Sequence, residues 1–487
     1  MKNSFVSSYY PLQKDWLSKH MKSTKIETAV QSILQKITTE YPLVPEIAHA
    51  ISNAGGRTLL VGGAVRDALL GKQVKDLDIE VHGIALNELE QILKRYGPVS
   101  LVGKVFGVLR LHGLDVDWSL PRTDLSGRKP IVTIDPYMGM TQAFARRDLT
   151  INAMGIDLVT HELIDPFNGY QDLQKGILRA ADPSFFTEDP LRFYRVMQFV
   201  GRFEMQPDEQ LNNLCKEMDL SMVSVERIDA EFEKLMLKSK RPSLGIRWLD
   251  DIGRLNELLP ELAVTKNVKQ DPQWHPEGSV FEHTMQTIDA AALLSYDSLD
   301  EKLILMYAAL CHDLGKVSTT EFIDERLRSR GHDVEGEEPT KHLLKRITRK
   351  KWLKDAVVKL VRYHLMPFQF ITNEARPSAY KRLANKLYPD ATLQMLGKLA
   401  LADRQGRNAH GSTPLHIIPQ ELELYLKRAH KAGVIERKEE PILHGRDLMP
   451  YVEPGPKMGE LLKRAYELQI EQGIQDKEEL LKLILEK

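Results

Sequence analysis

The order of apolar and polar positions divides the chain into a mixed part and a helical part. Between residues 57 and about 180, short apolar runs alternate with segments of helical pattern, which is typical of an α/β arrangement. From Glu188 to the end of the chain, the pattern favours helices. The sequence therefore predicts an α+β multidomain protein, in which an N-terminal mixed α/β head is followed by an all-α region.

A helical pattern also precedes the head. Apolar residues recur at helical spacing between Ile26 and Ile51, where Pro42 and Pro45 interrupt them. We expect residues 1 to about 25 to be a loose extension. The first 56 residues are therefore predicted to be a helical extension that leads into the head.

Two aspartates mark the first site with a chemical signal. Between Leu59 and His82 the pattern reads as strand, glycine turn, helix and second strand. Asp76 and Asp78 are two positions apart at the second strand, so their side chains project on one face. Adjacent carboxylates repel each other unless a cation lies between them, and Mg²⁺ prefers such oxygen ligands.

The glycine turn of the same unit fits an anion. Gly62 and Gly63 allow close backbone approach and lead into the N-terminus of a helix. Backbone N–H groups in that position suit a triphosphate. Together with the aspartate pair, the turn predicts a metal-dependent nucleotidyl-transfer site.

Composition sets the class of protein. The 487 residues suffice for three or four domains, and 42% hydrophobic with 28% charged residues is ordinary for a soluble globular protein. Cys215 and Cys311 are far apart, which favours a reducing cytoplasm over a disulfide framework. No apolar run reaches the roughly 18 residues of a membrane span, so no membrane partner is expected. A net charge of −1 means that any nucleic-acid surface is a local patch.

The motifs of the head resemble a known superfamily. GGAVRD followed by DLDIEV resembles the signature of the nucleotidyltransferases that include tRNA CCA-adding enzymes and bacterial poly(A) polymerases. ARRDLTINAM, at 145–154, resembles their RRD motif, which contacts ribose and triphosphate. Arginine suits a triphosphate because its planar fork binds oxygen atoms bidentately. The resemblance implies nucleotide contacts from Gly62, Gly63, Arg66, Arg146, Arg147, Asp148 and Asn152.

Two further segments of the head each allow two interpretations. The resemblance makes Asp117, in the alternating segment VDWSL, a third catalytic carboxylate beside Asp76 and Asp78, although strand-end aspartates are also common in turns. The polar segment 120–130 is expected to be a mobile loop. The basic residues of this segment are Arg122, Arg128 and Lys129. They either contact phosphates or belong to an ordinary solvated loop.

The segment EDPLRFYR resembles the element by which these enzymes choose a nucleobase. Asp189 and Arg192 are three apart and share a helix face, where they present an acceptor and donors to the edge of a base. Spacing alone would favour a surface ion pair. The resemblance implies that the protein itself selects CTP or ATP, with Arg195 reaching the nucleotide from the same side.

A second set of motifs resembles the HD phosphohydrolase superfamily. It consists of His283 in FEHT, His312 and Asp313 in CHDLGK, and Asp403 in LADRQGR. Imidazoles and carboxylates on facing helices suit a divalent transition metal such as Ni²⁺, Co²⁺ or Mn²⁺. The resemblance implies hydrolysis of phosphomonoesters or 2′,3′-cyclic phosphates, although some such domains are only structural. His332 and His364 are at positions where related domains hold a second metal.

A basic run provides the clearest candidate for contact with RNA. Residues 341–354 would form a positive stripe on a helix, although a charge run is often only a solvated face. The tail motif PGPKMG resembles the segment of CCA-adding enzymes that contacts the tRNA elbow. The predicted RNA-binding residues are Arg122, Lys345, Arg346, Arg349, Lys350 and Lys457.

The combined motifs predict an enzyme that adds C, C and A to the 3′ end of tRNA from CTP and ATP, with two Mg²⁺ ions in the head. A poly(A) polymerase, a CC-adding or A-adding enzyme, a hydrolase with a vestigial head, and an RNA-binding module remain alternatives. The expected partner is the tRNA acceptor arm, and the protein is a monomer or a homodimer. The predicted segments are an extension at 1–56, the head at 57–180, a helical neck and body at 181–265, the HD domain at 266–412 and a helical tail at 413–487.

Overall fold

The computed structural model describes residues 10–74, 76–102, 107–125, 131–410 and 413–486. The chain folds into two compact units. The first contains the chain up to residue 196 together with 205–222, and the second contains 197–204 together with the chain from 223 onward.

A seven-stranded sheet forms the centre of the first unit, and its strand order is β3-β4-β5-β2-β1-β8-β9. Strands β6 and β7 pair separately as an antiparallel ladder. Strand β6 lies inside the segment predicted to be a mobile loop, so that prediction is wrong for this strand. The strands are β1 Arg57–Val61, β2 Leu77–His82, β3 Val99–Val102, β4 Val108–Leu111, β5 Val116–Ser119, β6 Arg122–Leu125, β7 Ile131–Ile134, β8 Gly155–Asp157 and β9 Leu163–Ile164.

Register in the middle of this sheet brings the predicted site together. β1 and β2 are antiparallel neighbours, with Leu60 opposite Ile79. β2 and β5 are parallel neighbours, with Asp78 opposite Asp117. Leu60, Ile79 and Trp118 are fully buried, so their apolar side chains fix which face of each strand remains for polar groups.

Helices surround the sheet of the first unit. The first helix begins at Tyr10, so the predicted loose extension is wrong for residues 10–25, which are rich in helix-forming Leu, Lys, Met and Gln. Gln206–Pro207 pairs in parallel with Ile177–Leu178. The helices are Tyr10–Glu40, Leu43–Asn53, Gly63–Leu69, Leu86–Lys94, Met140–Ala145, Gly169–Lys175, Pro183–Phe186 and Glu209–Glu217, with a 3-10 turn at Thr150–Asn152. The helix Leu191–Phe203 begins in the first unit, and its residues from 197 onward belong to the second.

The second unit is almost entirely helical. Among its described residues, the one pair of regular strands is a hairpin in which Thr320–Ile323 pairs with Arg326–Ser329. The helices are Val225–Lys238, Ser243–Asp251, Leu255–Leu258, Pro260–Ala263, Val280–Leu293, Leu299–Cys311, Lys316–Thr319, His332–Glu335, Glu337–Ile347, Lys351–Tyr363, Met366–Thr372, Pro377–Leu387, Leu393–Gln405, Gln420–Lys431, Gly445–Leu448, Pro456–Gln472 and Lys477–Leu485, with a 3-10 turn at Val264–Asn267.

Two helices form the centre of the second unit. Most residues of Val280–Leu293 are buried, polar ones included, and Leu299–Cys311 is buried from Leu303 onward. Asp289 adds a polar tie within this core, since its carboxylate accepts hydrogen bonds from the backbone N–H and the hydroxyl of Ser243 at 3.0 and 2.7 Å. A rigid, dry framework of this kind holds the polar residues carried by these helices in fixed positions.

The C-terminal helices have a small core of their own. Its buried side chains come from the turns and helices between residues 443 and 484. They are Leu443, Leu448, Met458, Ala465, Ile474, Leu480 and Ile484. In the described part of the chain, no helix is both long and apolar enough to cross a membrane.

Candidate functional site

Three carboxylates lie close together at two central strands of the head sheet. Asp78 and Asp117 are direct partners on the parallel strands β2 and β5, so their side chains leave the sheet on the same face. Asp76 precedes β2 by one residue. The pKa of Asp78 is raised by burial of its carboxylate and by the negative charges of Asp117 and Asp76, against the opposing charge of Arg147. Electrostatically, this arrangement favours a cation.

A basic residue already lies beside one of these carboxylates. Arg110 on β4 is the strand partner of Asp117, and their ion pair measures 2.7 Å between guanidinium and carboxylate. Asp117 lies within a strand rather than in a turn, which agrees with the neighbouring-strand interpretation of the VDWSL segment.

The glycine turn and the RRD motif adjoin each other. Gly62 has φ of 71°, a left-handed conformation that glycine adopts without strain, and it precedes the helix Gly63–Leu69. A Cβ atom at Gly62 would lie 3.0 Å from a guanidinium nitrogen of Arg147. The absence of a side chain therefore leaves room for this arginine beside the turn.

A chain of buried polar contacts fixes the other motif residues. The Arg66 guanidinium donates to Asn152 Oδ1 at 2.5 Å, and the Asn152 amide donates to Asp148 at 2.9 Å. Arg195 pairs with the second oxygen of Asp148 at 2.9 Å. Burial alone would raise the pKa of Asp148, but the charge of Arg195 and the Asn152 hydrogen bond outweigh it, so the pKa is lowered.

Sequence reasoning missed the carboxylate that holds Arg147. Glu80 pairs with Arg147 at 3.0 Å and accepts a hydrogen bond from His82 at 2.9 Å. Burial opposes ionisation of Glu80, but Arg147 and His82 outweigh it and lower its pKa to about 2. The alternation of β2 carried the signal, since Asp78, Glu80 and His82 are each two residues apart.

Asp189 and Arg192 lie at the start of the helix Leu191–Phe203. Asp189 accepts the backbone N–H of Leu191 at 3.1 Å. Arg192 donates to the carbonyls of Phe185 and Arg146 at 2.5 and 2.6 Å. Arg192 thereby links the segment EDPLRFYR directly to the RRD motif.

In the second unit, three helices bring the four HD motif residues together. His283 lies on Val280–Leu293, and His312 with Asp313 follows Leu299–Cys311. Asp403 lies on Leu393–Gln405. Every one of these side chains is at least nine-tenths buried. His283 Nε2 lies 3.2 Å from His312 Nε2 and 3.0 Å from Asp403 Oδ1, and His312 Nε2 lies 3.3 Å from Asp313 Oδ2.

The other two predicted histidines form a second group around the same aspartate. His332 Nε2 lies 3.1 Å from His364 Nε2 and 3.3 Å from Asp313 Oδ1. Asp313 therefore directs one oxygen to each histidine pair. Burial would raise the pKa of Asp313, but the neighbouring His312 ring and the charge of Lys316 hold it well below its usual range.

The tautomers of these histidines follow from their backbone contacts. The Nδ1 atoms of His312, His332 and His364 lie 2.9, 2.6 and 2.7 Å from the carbonyl oxygens of Ala309, Ser329 and Val361. A carbonyl oxygen only accepts, so each Nδ1 carries a proton and each neutral ring presents a lone pair at Nε2. The facing Nε2 atoms of His332 and His364 are therefore both acceptors. In the other pair, His283 Nδ1 lies 3.2 Å from the carbonyl oxygen of Gly406, which favours the same tautomer for His283.

These distances fit ligands around a shared cation. Ligands at about 2.0 Å from a tetrahedral ion lie roughly 3.3 Å from one another. The described residues include three groups of potential ligand atoms that lie within 4.8 Å of one another: His283 with His312 and Asp313, Asp313 with His332 and His364, and His275 with Glu277 and His283. Neutral imidazoles with carboxylates suit a divalent transition metal.

A glycine permits the close packing at this cluster. Gly315 follows Asp313 in the HDLGK motif, and a Cβ atom there would lie 2.1 Å from the carbonyl oxygen of His332. Any side chain at this position would push the segment of His332 away from Asp313.

Several polar neighbours of the cluster were not predicted. Lys316 pairs with Asp313, and Arg407 with Asp403, at 2.7 and 2.8 Å. His275 and Glu277 lie beside His283. Two were detectable at helical spacing, since Lys316 is three residues after Asp313 and Arg407 is four after Asp403.

The predicted RNA-binding residues do not form one stripe. The helix Glu337–Ile347 ends before Lys351–Tyr363 begins, so the prediction of a single basic helix is wrong. Arg346 pairs with Glu261 at 3.3 Å, and Lys350 pairs with Asp229 and Glu233. The exposed members are Lys345, Arg346, Arg349 and Lys457. Arg122 lies half-buried on β6, and Arg128 and Lys129 are outside the described residues.

Comparisons with known proteins agree with this division. The poly(A) polymerase head domain family matches residues 58–179, and the HD domain family matches residues 280–404. The multifunctional CCA protein of Neisseria meningitidis serogroup B is 33% identical over 390 residues, which cover 78% of this chain and 87% of that protein. The protein of the same name from Pasteurella multocida is 32% identical and covers 72% of this chain and 83% of its own length.

Solved structures share the fold. The Thermotoga maritima CCA-adding enzyme in complex with tRNA has a TM-score of 0.57 at 20% identity, covering 94% of this chain and 98% of that chain. The Bacillus stearothermophilus CCA-adding enzyme in complex with CTP has a TM-score of 0.61 at 20% identity, covering 91% of this chain and 96% of that chain. The predicted fold class and family resemblance are confirmed, and the chain belongs to the family of multifunctional CCA proteins, with a poly(A) polymerase-type head and an HD domain.

Proposed function

We propose that this protein adds C, C and A to the 3′ end of tRNA from CTP and ATP, without a nucleic-acid template and with release of pyrophosphate. The observation that carries the proposal is the register of β2 and β5, which sets Asp78 and Asp117 side by side with Asp76 adjacent. The relatives over most of the chain are named multifunctional CCA proteins, and related folds have been solved with CTP, ATP and tRNA.

The head residues divide the work of this reaction. Asp76 and Asp78, with Asp117, would hold two Mg²⁺ ions, which when bound increase the acidity of the tRNA 3′-hydroxyl and neutralise phosphate charge. The hydroxyl oxygen forms a bond to the α-phosphorus of the nucleotide as the bond to the β-phosphate oxygen breaks. Pyrophosphate leaves along that line.

Arginines orient the triphosphate for this attack. Arg66 and Arg147 are already held by Asn152 and Glu80, so little side-chain entropy is lost when they bind phosphate. Gly62 and Gly63 supply the turn that admits the phosphates to the N-terminus of the helix Gly63–Leu69. Asn152, Asp148 and Arg195 are linked to Arg66 by hydrogen bonds and an ion pair, and Arg146 adjoins Arg147 in the sequence. We therefore propose nucleotide contacts for these four residues as well.

The proposed reaction predicts a defined product. On tRNA that lacks CCA, CTP alone should add two residues, ATP alone none, and both together three. Asp76→Ala and Asp78→Ala should each reduce addition by about a thousandfold or more, because several kcal/mol of charge stabilisation are lost. Labelled product resolved on a sequencing gel measures both results.

Asp115→Ala is the matched control, because this exposed aspartate precedes β5 by one residue and should leave addition unchanged. Continued addition of A beyond three residues would identify a poly(A) polymerase instead. Addition at normal speed by the Asp76→Ala, Asp78→Ala double variant would contradict the assignment of these carboxylates.

Nucleotide choice is proposed to lie with Asp189 and Arg192. Their position beside the RRD segment supports this role, since Arg192 donates to the carbonyl of Arg146. An acceptor and a donor on one rigid helix start match the polar edges of cytosine and adenine, so the protein supplies the selection that a template would otherwise provide.

Arg192→Ala should therefore damage selection more than triphosphate affinity. Incorporation of UTP and GTP relative to CTP and ATP should rise by about tenfold or more, because the base loses its hydrogen-bonding partner. Competition assays with pairs of nucleotides measure this ratio. Arg202→Ala is the control, since it lies about 15 Å further along the same helix. Unchanged rejection of UTP and GTP at normal speed would place base selection elsewhere.

We propose a second activity, metal-dependent hydrolysis of phosphomonoesters or 2′,3′-cyclic phosphates, for the HD domain. The supporting observation is the pair of lone-pair contacts, His283 with His312 and His332 with His364, on either side of Asp313. These residues, with Asp403, would hold one or two transition-metal ions, which when bound lower the pKa of a water molecule and supply a hydroxide nucleophile.

The two activities should respond to different metals. Ni²⁺, Co²⁺ or Mn²⁺ should support hydrolysis of a phosphomonoester or a 2′,3′-cyclic nucleotide at least about tenfold better than Mg²⁺, because imidazole nitrogen is a poor ligand for Mg²⁺. The His312→Ala, Asp313→Ala double variant should lose hydrolysis and keep CCA addition within a few fold. A metal panel scored for both reactions measures these effects.

His342→Ala, at an exposed histidine of the same unit, is the control and should change neither reaction. Absence of hydrolysis with every metal would make the domain structural. Loss of both reactions in the double variant would contradict the separation of the two activities.

RNA recognition is proposed for the helical part of the chain, which would bind the acceptor arm by shape, as A-form RNA is usually recognised. Exposed Lys345, Arg349 and Lys457 support phosphate contact. The division into extension, head, neck and body, HD domain and tail remains a proposal. We also propose a cytoplasmic location, which is supported by two buried free thiols, Cys215 and Cys311.

A further inference from the structure

A buried carboxylate lies on the far side of the His283 ring from the proposed metal. The side chain of Glu277 is 0% exposed, and its Oε1 atom lies 2.7 Å from His283 Nδ1 and 2.9 Å from His275 Nδ1. The ring of His275 meets that of His283 edge to face, with centroids 4.8 Å apart. Glu277 therefore contacts two imidazoles and lies next to a proposed metal ligand.

These distances identify hydrogen bonds. Charge-assisted N–H···O bonds have lengths of about 2.7–2.9 Å, whereas ligands around one tetrahedral ion lie roughly 3.3 Å apart. The Glu277 carboxylate accepts from both Nδ1–H groups, and His283 Nδ1 has a longer contact of 3.2 Å to the carbonyl of Gly406. With its proton on Nδ1, the His283 ring presents its lone pair at Nε2, toward His312 and Asp403.

The backbone keeps Glu277 in place. Ser279 pairs with Lys269 in an isolated bridge, and the His275 N–H donates to the carbonyl of Asp271 at 2.8 Å. Ser279 then caps the helix of His283 by accepting the N–H of Glu282 at 3.2 Å. Glu277 thus reaches His283 from a segment pinned on both sides, which gives the carboxylate a fixed direction.

We propose that Glu277 is a positioning residue that fixes the tautomer and the orientation of His283 for the metal of the HD domain, and that His275 holds the carboxylate in this role. The inference rests on the proposed HD metal centre and assigns to it a residue outside the HD motif. Metal-bound histidines commonly donate their second N–H to a carboxylate, and loss of such a partner weakens metal binding without removing a ligand.

The test measures metal binding directly. Full-length protein is freed of metal with a chelator and titrated calorimetrically with Ni²⁺ or Co²⁺, and the melting temperature is recorded with and without metal. Glu277→Ala should raise the dissociation constant for the metal about ten- to a hundredfold, at unchanged stoichiometry. Glu277→Gln, which retains an acceptor, should restore part of this loss, and His275→Ala should cause a smaller loss than Glu277→Ala.

Glu282→Ala is the matched control. Glu282 precedes His283 in the sequence but forms a two-fold ion pair with Arg247, at 2.7 Å for each contact. Its loss should lower the metal-free melting temperature and leave the dissociation constant unchanged, as expected of a structural residue. CCA addition should persist in all variants, and a cooperative metal-free melting transition reports that each is folded.

Each outcome decides between the possibilities. Unchanged metal affinity in Glu277→Ala overturns the inference about Glu277 but leaves the proposed HD metal centre standing. An equal loss of metal affinity in Glu282→Ala has the same consequence. A stoichiometry reduced by one ion would mean that His275, Glu277 and His283 bind a metal themselves, which also overturns it. If the unsubstituted protein binds no transition metal, the proposed HD metal centre fails and the inference fails with it.

Discussion

Two imidazole nitrogens, each with a lone pair, face each other at 3.2 Å between His283 and His312. Neither can donate to the other in its neutral form, because the Nδ1 atom of each ring already carries the proton. Such a contact is unfavourable on its own and becomes favourable when a cation accepts both lone pairs. The same constraint recurs in the head, where Asp78 and Asp117 extend from paired strand positions.

The packed helices and the paired strands hold these mutually repelling polar groups close together. In the second unit, the helices Val280–Leu293 and Leu299–Cys311 are largely buried, so their packing energy opposes the repulsion of the polar atoms they carry. In the first unit, the pairing of β2 with β5 places carboxylates on one face while Trp118 is buried on the other. Both proposed sites are therefore built on regular elements, which suits chemistry that depends on exact ligand placement.

Motif order allowed most of both sites to be predicted from the sequence. Alternation predicted the shared face of Asp76 and Asp78, and the HD residues were recognised by type and order. The sequence alone did not place Asp117, because only the parallel register of β5 shows which strand it adjoins. Glu277 approaches His283 from a loop, so no helical or strand periodicity connects the two residues.

Charge runs were the least informative signal. The basic residues of 341–354 divide between two helices, and Lys350 faces Asp229 and Glu233 rather than open solvent alone. A pattern of charges does not reveal which acids of distant sequence will fold against it. Helix propensity likewise did not reveal the start of the first helix at Tyr10, since no clear apolar stripe marks those residues.

The most direct test of facing lone pairs as metal sites is anomalous X-ray scattering from crystals grown with Ni²⁺ or Co²⁺. We expect one peak among His283, His312, Asp313 and Asp403, and a second among Asp313, His332 and His364 at sufficient metal concentration. A well-ordered map with no peak at either position, and with water molecules donating to the Nε2 atoms, would contradict the account.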